Sequence, residues 1–291
     1  MIVTTHFSRL VVLQSLPGGD LKTGRLLRDD VQALDAFYER RLPVDFATAD
    51  TSEKFWAALG QVLQAAIGKA EWPILHIECH GASDRKGIVL ADGTYIPWRQ
   101  LKPTLIDINV ATRCHLLVVL AACHGAYIGE IILPTDQAPC WGLLGPTEAV
   151  ASGDLLRSYS SFYAELLKSQ DGSKSLAALR DSDKHAAQYR LITAEGFFKL
   201  AYANYLATYS TQKGYWDRAK AMRPKLRGHR AAARLSTQDL QLLLRKTERG
   251  SFDKYYRGFF MIDLFPENQS RFSVTYDEVI KDARALTRRS T

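Results

Sequence analysis

The chain has 291 residues, 46% apolar and 24% charged, which allows one large α/β domain or two small ones around a sizeable core. The formal charge of +7 is uneven: from Lys213 onward there are 18 Lys and Arg against 9 Asp and Glu, and the rest is close to neutral. No apolar run reaches the ~18–20 residues of a membrane helix, the N-terminal stretch lacks the pattern of a signal peptide, and four cysteines do not suggest a disulfide framework. The expectation is a cytoplasmic protein with reduced thiols and no membrane contact.

Arg9 to Ser15 is a short apolar run that ends at Pro17-Gly18-Gly19 and reads as a buried strand followed by a turn. Thr23 to Arg41 carries Leu26, Leu27, Val31, Leu34 and Phe37 at helical spacing. Val44 to Thr48 reads as a second strand and Ser52 to Ala70 as a second helix, with Phe55, Leu59, Val62, Leu63 and Ile67 on its apolar face. Pro73 to Cys79 is a third strand. Strands alternating with helices at this spacing argue for βαβ units and a mostly parallel sheet.

Gly87 to Trp98 holds two short apolar runs around Asp92-Gly93, a strong hairpin signal, and this hairpin is expected to stand outside the main sheet near the end of the third strand. Leu116 to Ala122 is the next sheet strand. Residues 129–145, rich in Gly and Pro, read as an irregular loop. Residues 154–168, 173–189 and the aromatic stretch 194–215 read as helices, residues 222–234 as a basic surface segment, and residues 236–246 as a helix capped by Ser236. Residues 258–265 read as a late strand returning to the same sheet. The division expected is a core over 1–190, followed over 191–291 by a helical, aromatic and basic elaboration.

The stretch that carries chemistry is Leu116 to Tyr127, in which an apolar run delivers Ala121-Ala122-Cys123-His124-Gly125 to a turn. A second stretch of the same design ends in Cys79-His80-Gly81, 43 positions before the cysteine. In open parallel sheets, sites form at the carboxyl ends of strands, where both stretches end. A free thiol is only a few per cent thiolate at neutral pH, and a neighbouring imidazole can lower its pKa or protonate a leaving group. Glycines at 81 and 125 allow close approach of backbone to a substrate, and the amides at Gly81 and Cys123 could hold an oxyanion.

His80-Gly81 after one strand, Ala122-Cys123 after the next, and the intervening hairpin together resemble the caspase-like cysteine peptidases of the CHAT type, a group related to caspases and separases. The His-to-Cys interval is close to the ~50 residues of caspases. The resemblance covers roughly Arg9 to Lys168 and, more loosely, the late strand. It implies a three-layer α/β/α sandwich and peptide-bond hydrolysis of a protein substrate by a Cys-His dyad. His80 would be the acid/base, Cys123 the nucleophile, and the Gly81 and Cys123 amides the oxyanion donors. Ala121, Ala122 and His124 would lie at the substrate pocket, walled by the hairpin and residues 126–147. It further implies control by an activating protein partner, and a setting in bacterial immune or cell-death systems. Ala121 departs from the pattern, since many relatives carry there an acidic or polar residue that selects a charged substrate side chain. His124 after the cysteine departs from the caspases.

The same residues admit rival readings. Three Cys-His dipeptides invite zinc, but no C-x₂₋₄-C spacing exists, so no metal is expected. His76-Ile-Glu-Cys-His80 has the wrong order and the wrong secondary structure for a zincin helix, and His76 reads as a core histidine. Neither a Walker A nor a G-x-G-x-x-G motif is present, so no cofactor is expected. Nucleic-acid binding lacks a supporting motif. The competing function is a catalytically inactive scaffold of the same fold that binds a partner through its C-terminal region.

Overall fold

In a computed structural model, which describes residues 7–69, 71–182, 188–226 and 234–289, the short apolar runs form one sheet. β1 (Arg9–Ser15), β2 (Val44–Thr48) and β3 (Pro73–Gly81) are followed by the hairpin strands β4 (Gly87–Val89) and β5 (Tyr95–Pro97), then by β6 (Leu117–Ala121), β7 (Gly142–Pro146) and β8 (Tyr189–Thr193). The main order is β2-β1-β3-β6-β7-β8, parallel throughout except for antiparallel β8. β1, β3 and β6 are buried on both faces, which is why their sequences run apolar without alternating. The hairpin joins the end of β3, pairing His80 with Val89 and Gly81 with Ile88.

Helices α1 (Thr23–Tyr38), α2 (Ser52–Lys69), α3 (Trp98–Ala111), α4 (Ser152–Ser169) and α5 (Gly172–Asp181) flank this sheet. α1, α4 and α5 pack on one face, where Leu27, Val31, Tyr159, Tyr163 and Leu179 meet Leu10, Val12, Ile74 and Val119. α2 packs against β1 and α3, burying Phe55, Leu59, Leu101 and Leu105 outside that cluster. The result is the layered α/β architecture with a mostly parallel sheet that the sequence implied. No helix among the described residues is long and apolar enough to cross a membrane.

The chain divides into two compact units, residues 1–131 with 138–194, and residues 132–137 with 195–291. The second contains most of α6 (Ala194–Tyr209), then α7 (Gln212–Met222), α8 (Thr237–Lys246), α9 (Glu248–Phe259), α10 (Asn268–Arg271) and α11 (Tyr276–Arg289). Its core is aromatic: Phe198 lies 5.2 to 5.9 Å, ring centre to ring centre, from Tyr202, Phe252, Tyr256, Phe259 and Phe260. The aromatic stretch expected as one helix over 194–215 breaks at Ser210, and the Thr211 side chain caps α7 by accepting from the Gly214 amide.

The expected late strand over 258–265 is not a strand. Gly258 and Phe259 end α9, the Ile262 amide bonds the Arg257 carbonyl, the Phe265 amide bonds the Met261 carbonyl, and Met261 is left-handed at φ 55°. A short buried apolar run has no period that separates strand from helix end, and here the Phe198 cluster took it. The strand that does close the sheet is β8, which starts at Tyr189, the last residue of the stretch expected as a helix over 173–189, of which residues 183–187 lie outside the described ones. β7 occupies the end of the expected irregular loop over 129–145; five residues bounded by Gly142 and Pro146 carry too little pattern to read. Within the basic stretch 222–234, residues 227–233 lie outside the described ones.

Candidate active site

β3 and β6 are neighbours, paired in register from Ile74 with Leu117 to Glu78 with Ala121. Side chains alternate along a strand, so His76, Glu78 and His80 share one face of β3. His80 and Cys123 each lie two residues beyond the last registered pair, at carboxyl ends of strands whose backbones run ~4.8 Å apart. Beyond β6 the chain turns sharply: the Gly125 amide bonds the Ala122 carbonyl at 3.0 Å, and His124 takes the left-handed position at φ 61°. Cys123 is thus held within a turn and is only partly buried, with its thiol 3.8 Å from the Val150 carbonyl.

Gly81 explains why the two strand ends can meet. A Cβ built there would overlap the carbonyl oxygen of Cys123 and sit 2.6 Å from its carbonyl carbon. No side chain fits, so the Gly81 backbone lies directly on that of Cys123. The Ala82 amide bonds the Gly87 carbonyl at 3.0 Å, so the alternation of the antiparallel ladder turns the Gly81 amide away from the hairpin.

The His80 ring is half exposed, and its Nε2 lies 2.7 Å from Oδ2 of Asp20. Asp20 closes the turn after β1, its amide bonding the Pro17 carbonyl at 3.1 Å. Lys22 braces that turn by donating to the carbonyls of Leu16 and Pro17. In the sequence Asp20 reads as one more polar residue after Pro17-Gly18-Gly19. The usable signal is topological: β1 is the other neighbour of β3, so the residues after β1 arrive beside His80.

Asp20, His80, Ala121 and Cys123 line one cavity of about 350 Å³, whose walls come from the turn after β1 and the first turns of α1 and α4. Of the pocket residues expected from the motif, Ala121 lines this cavity, whereas Ala122 is fully buried and His124 turns to the loop after β7, its Nδ1 3.0 Å from the Thr147 carbonyl. The hairpin over 87–98 does not contribute to the lining.

Below His80, a buried polar chain runs along the same face. Tyr163 OH lies 3.0 Å from His76 Nδ1, His76 Nε2 lies 2.9 Å from Glu78 Oε1, and the Thr23 hydroxyl donates to Glu78 Oε2 at 2.6 Å. Burial, the Glu78 charge and Cys123 push the Cys79 thiol well above its usual range, and burial likewise pushes up Cys140. Both stay protonated. Among the described residues, no three His, Cys, Asp or Glu side chains converge to hold a metal ion.

No protein-family model matches the chain, and no curated protein does. Among solved structures, the chain is similar to the Drosophila initiator caspase Dronc, with 12% identity and a TM-score of 0.47, over 66% of this chain and 81% of that one.

Proposed function

We propose that the chain is a cysteine peptidase of the caspase-like CHAT type, with Cys123 as nucleophile, His80 as acid/base and Asp20 as the residue that orients the His80 ring. The observation that carries this reading is one cavity lined by Cys123, His80 and Asp20, with Asp20 hydrogen-bonded to the imidazole. Asp20 on Nε2 leaves Nδ1 as the nitrogen available for proton transfer. The Cys123 sulfur attacks the scissile carbonyl carbon while the thiol proton passes to His80. His80 returns that proton to the departing amine as the C–N bond breaks, leaving a thioester. Water then loses a proton to His80 and attacks the thioester, the C–S bond breaks, and the proton goes back to sulfur. The Gly81 and Cys123 amides are assigned to the oxyanion formed in both steps.

The test is turnover of a mixed peptide library by the full chain, together with its rate of modification by peptidyl ketone electrophiles. Cys123→Ala and His80→Ala abolish turnover while circular dichroism is unchanged, and Asp20→Ala lowers kcat by about 10- to 100-fold with KM little moved, less than the ~10²–10⁴-fold of the acid–base group it orients. Full turnover in both Cys123→Ala and His80→Ala would overturn the mechanism.

A further inference from the structure

We propose that the cavity under Cys123 receives a cationic substrate side chain, lysine or arginine at the residue whose carbonyl is attacked, and that Glu78 selects it. The proposal rests on the reading of Cys123 as the nucleophile and adds the substrate class.

The first argument is charge. The cavity lining contains two carboxylates, Asp20 and Glu78, and neither lysine nor arginine; the rest is mainly apolar, including Leu16, Leu21, Val150 and Leu155. The Glu78 side chain is 2% exposed. Its hydrogen-bond partners are His76 Nε2 at 2.9 Å and the Thr23 hydroxyl at 2.6 Å. Tyr163 OH in turn lies 3.0 Å from His76 Nδ1, so Glu78 is held by a chain of hydrogen-bonding groups with no lysine or arginine among them. Burial and the Glu78 charge push the Tyr163 phenol upward, so it remains a donor. The Thr23 hydroxyl and the start of α1 steady the carboxylate as dipoles, not as a counter-ion. Lys22, the nearest cation in sequence to that helix start, is committed to the carbonyls of Leu16 and Pro17. A buried carboxylate facing a cavity that holds no lysine or arginine favours a ligand that brings a cation.

The second argument is reach. Glu78 sits two residues below His80 on the same face of β3, a step of about 6.6 Å, opposite Ala121 on β6. A substrate acyl group on Cys123 would direct its side chain down this channel. The four-carbon stem of lysine, or the guanidinium of arginine, spans such a step, and the apolar walls suit the stem. The Ala121 methyl leaves the channel open where a larger residue would fill it. An aspartate side chain is too short to reach the floor and meets two like charges on the way. The volume of about 350 Å³ is at the small end of ligand sites and suits one side chain.

Four tripeptidyl acyloxymethyl ketones that differ only in the last residue, lysine, norleucine, alanine or aspartate, test this on the full chain. Modification forms a thioether between Cys123 and the methylene carbon, with loss of the carboxylate leaving group and of the thiol proton. Norleucine keeps the stem of lysine without its charge. The expected order is lysine at least tenfold faster than norleucine, with aspartate slowest, and in Glu78→Gln the lysine-to-norleucine ratio falls to about two or less. If Glu78→Gln fails to fold, Ala121→Leu carries the second arm: by narrowing the channel it lowers the lysine-to-alanine ratio at least tenfold. Equal rates for lysine and norleucine, a preference for aspartate, or an unchanged ratio in these variants would overturn the proposal while leaving the nucleophile assignment standing. If no probe modifies Cys123 faster than it modifies a free thiol, the peptidase reading fails and this inference fails with it.

Discussion

A methyl group at position 81 would collide with the Cys123 carbonyl, so the site depends on an atom that is absent. The collision is with backbone, which cannot swing aside as a flexible side chain can. Gly81→Ala therefore has to separate the ends of β3 and β6. The expected cost is about 1–3 kcal/mol, the range for overpacking a tight contact, read as a lower urea midpoint. The same displacement moves Cys123 relative to His80, so modification of Cys123 by a peptidyl ketone should slow by at least tenfold. Wild-type stability and wild-type labelling in Gly81→Ala would show that the two strand ends are not in this contact. Gly125 is constrained in the same way on the other side of the turn, where a Cβ would come within 2.8 Å of the Leu120 Cβ.

At the level of elements, α11 shows how a helix start is fixed by charge and capping. The Glu278 carboxylate accepts from the Thr275 amide at 2.8 Å, from Lys199 at 3.0 Å and from the Thr275 hydroxyl at 2.9 Å. These bonds, the Thr275 amide first, hold its carboxyl down at about 2, against an ordinary 4.5. A folded pKa below the unfolded one stabilises above the unfolded value, and this stability is lost as pH falls toward the folded value. The urea midpoint of Glu278→Gln should lie below wild type at pH 7, and the gap should narrow as pH falls through 4 and 3. Glu278 is half exposed, so solvent screening keeps the gap under about 1 kcal/mol. A gap constant from pH 7 to pH 3 would mean that these bonds do not favour the charged form. Elements were legible where period and boundary agreed. β1, β2 and β3 are apolar runs closed by Pro, Gly or a charged segment, and α8 starts at Ser236, which forms a capping box with Asp239. The run at 258–265 had apolar character without a period, and only its packing against Phe198 decided its form. His80, Gly81 and Cys123 stand out in the sequence because the first two end one buried apolar run and the third follows another. Asp20 and Glu78 do not stand out, because strand order and register rather than any local pattern bring them to the cavity.

For the molecule as a whole, the four cysteines report on folding as well as chemistry. Cys79 is 4% exposed, Cys114 fully buried and Cys140 1% exposed, whereas Cys123 is the partly open one. Cys79 lies on β3, Cys114 precedes β6 and Cys140 precedes β7, so the three closed thiols sit along adjacent strands of one unit. A brief exposure of the native chain to iodoacetamide should add one carboxamidomethyl group, at Cys123, and the same exposure in guanidinium should add four. At intermediate denaturant, Cys79, Cys114 and Cys140 should become modified together, because a cooperatively folded sheet does not release one interior strand while its neighbours stay paired. Mass spectrometry of peptides at each denaturant concentration reads the three sites separately. Modification of Cys140 well before Cys79 would mean that β7 and β8 open as their own unit ahead of β3. The segment leading to Val150 and the start of α4 would then be free to move away from Cys123 without unfolding the strands that carry His80 and Cys123.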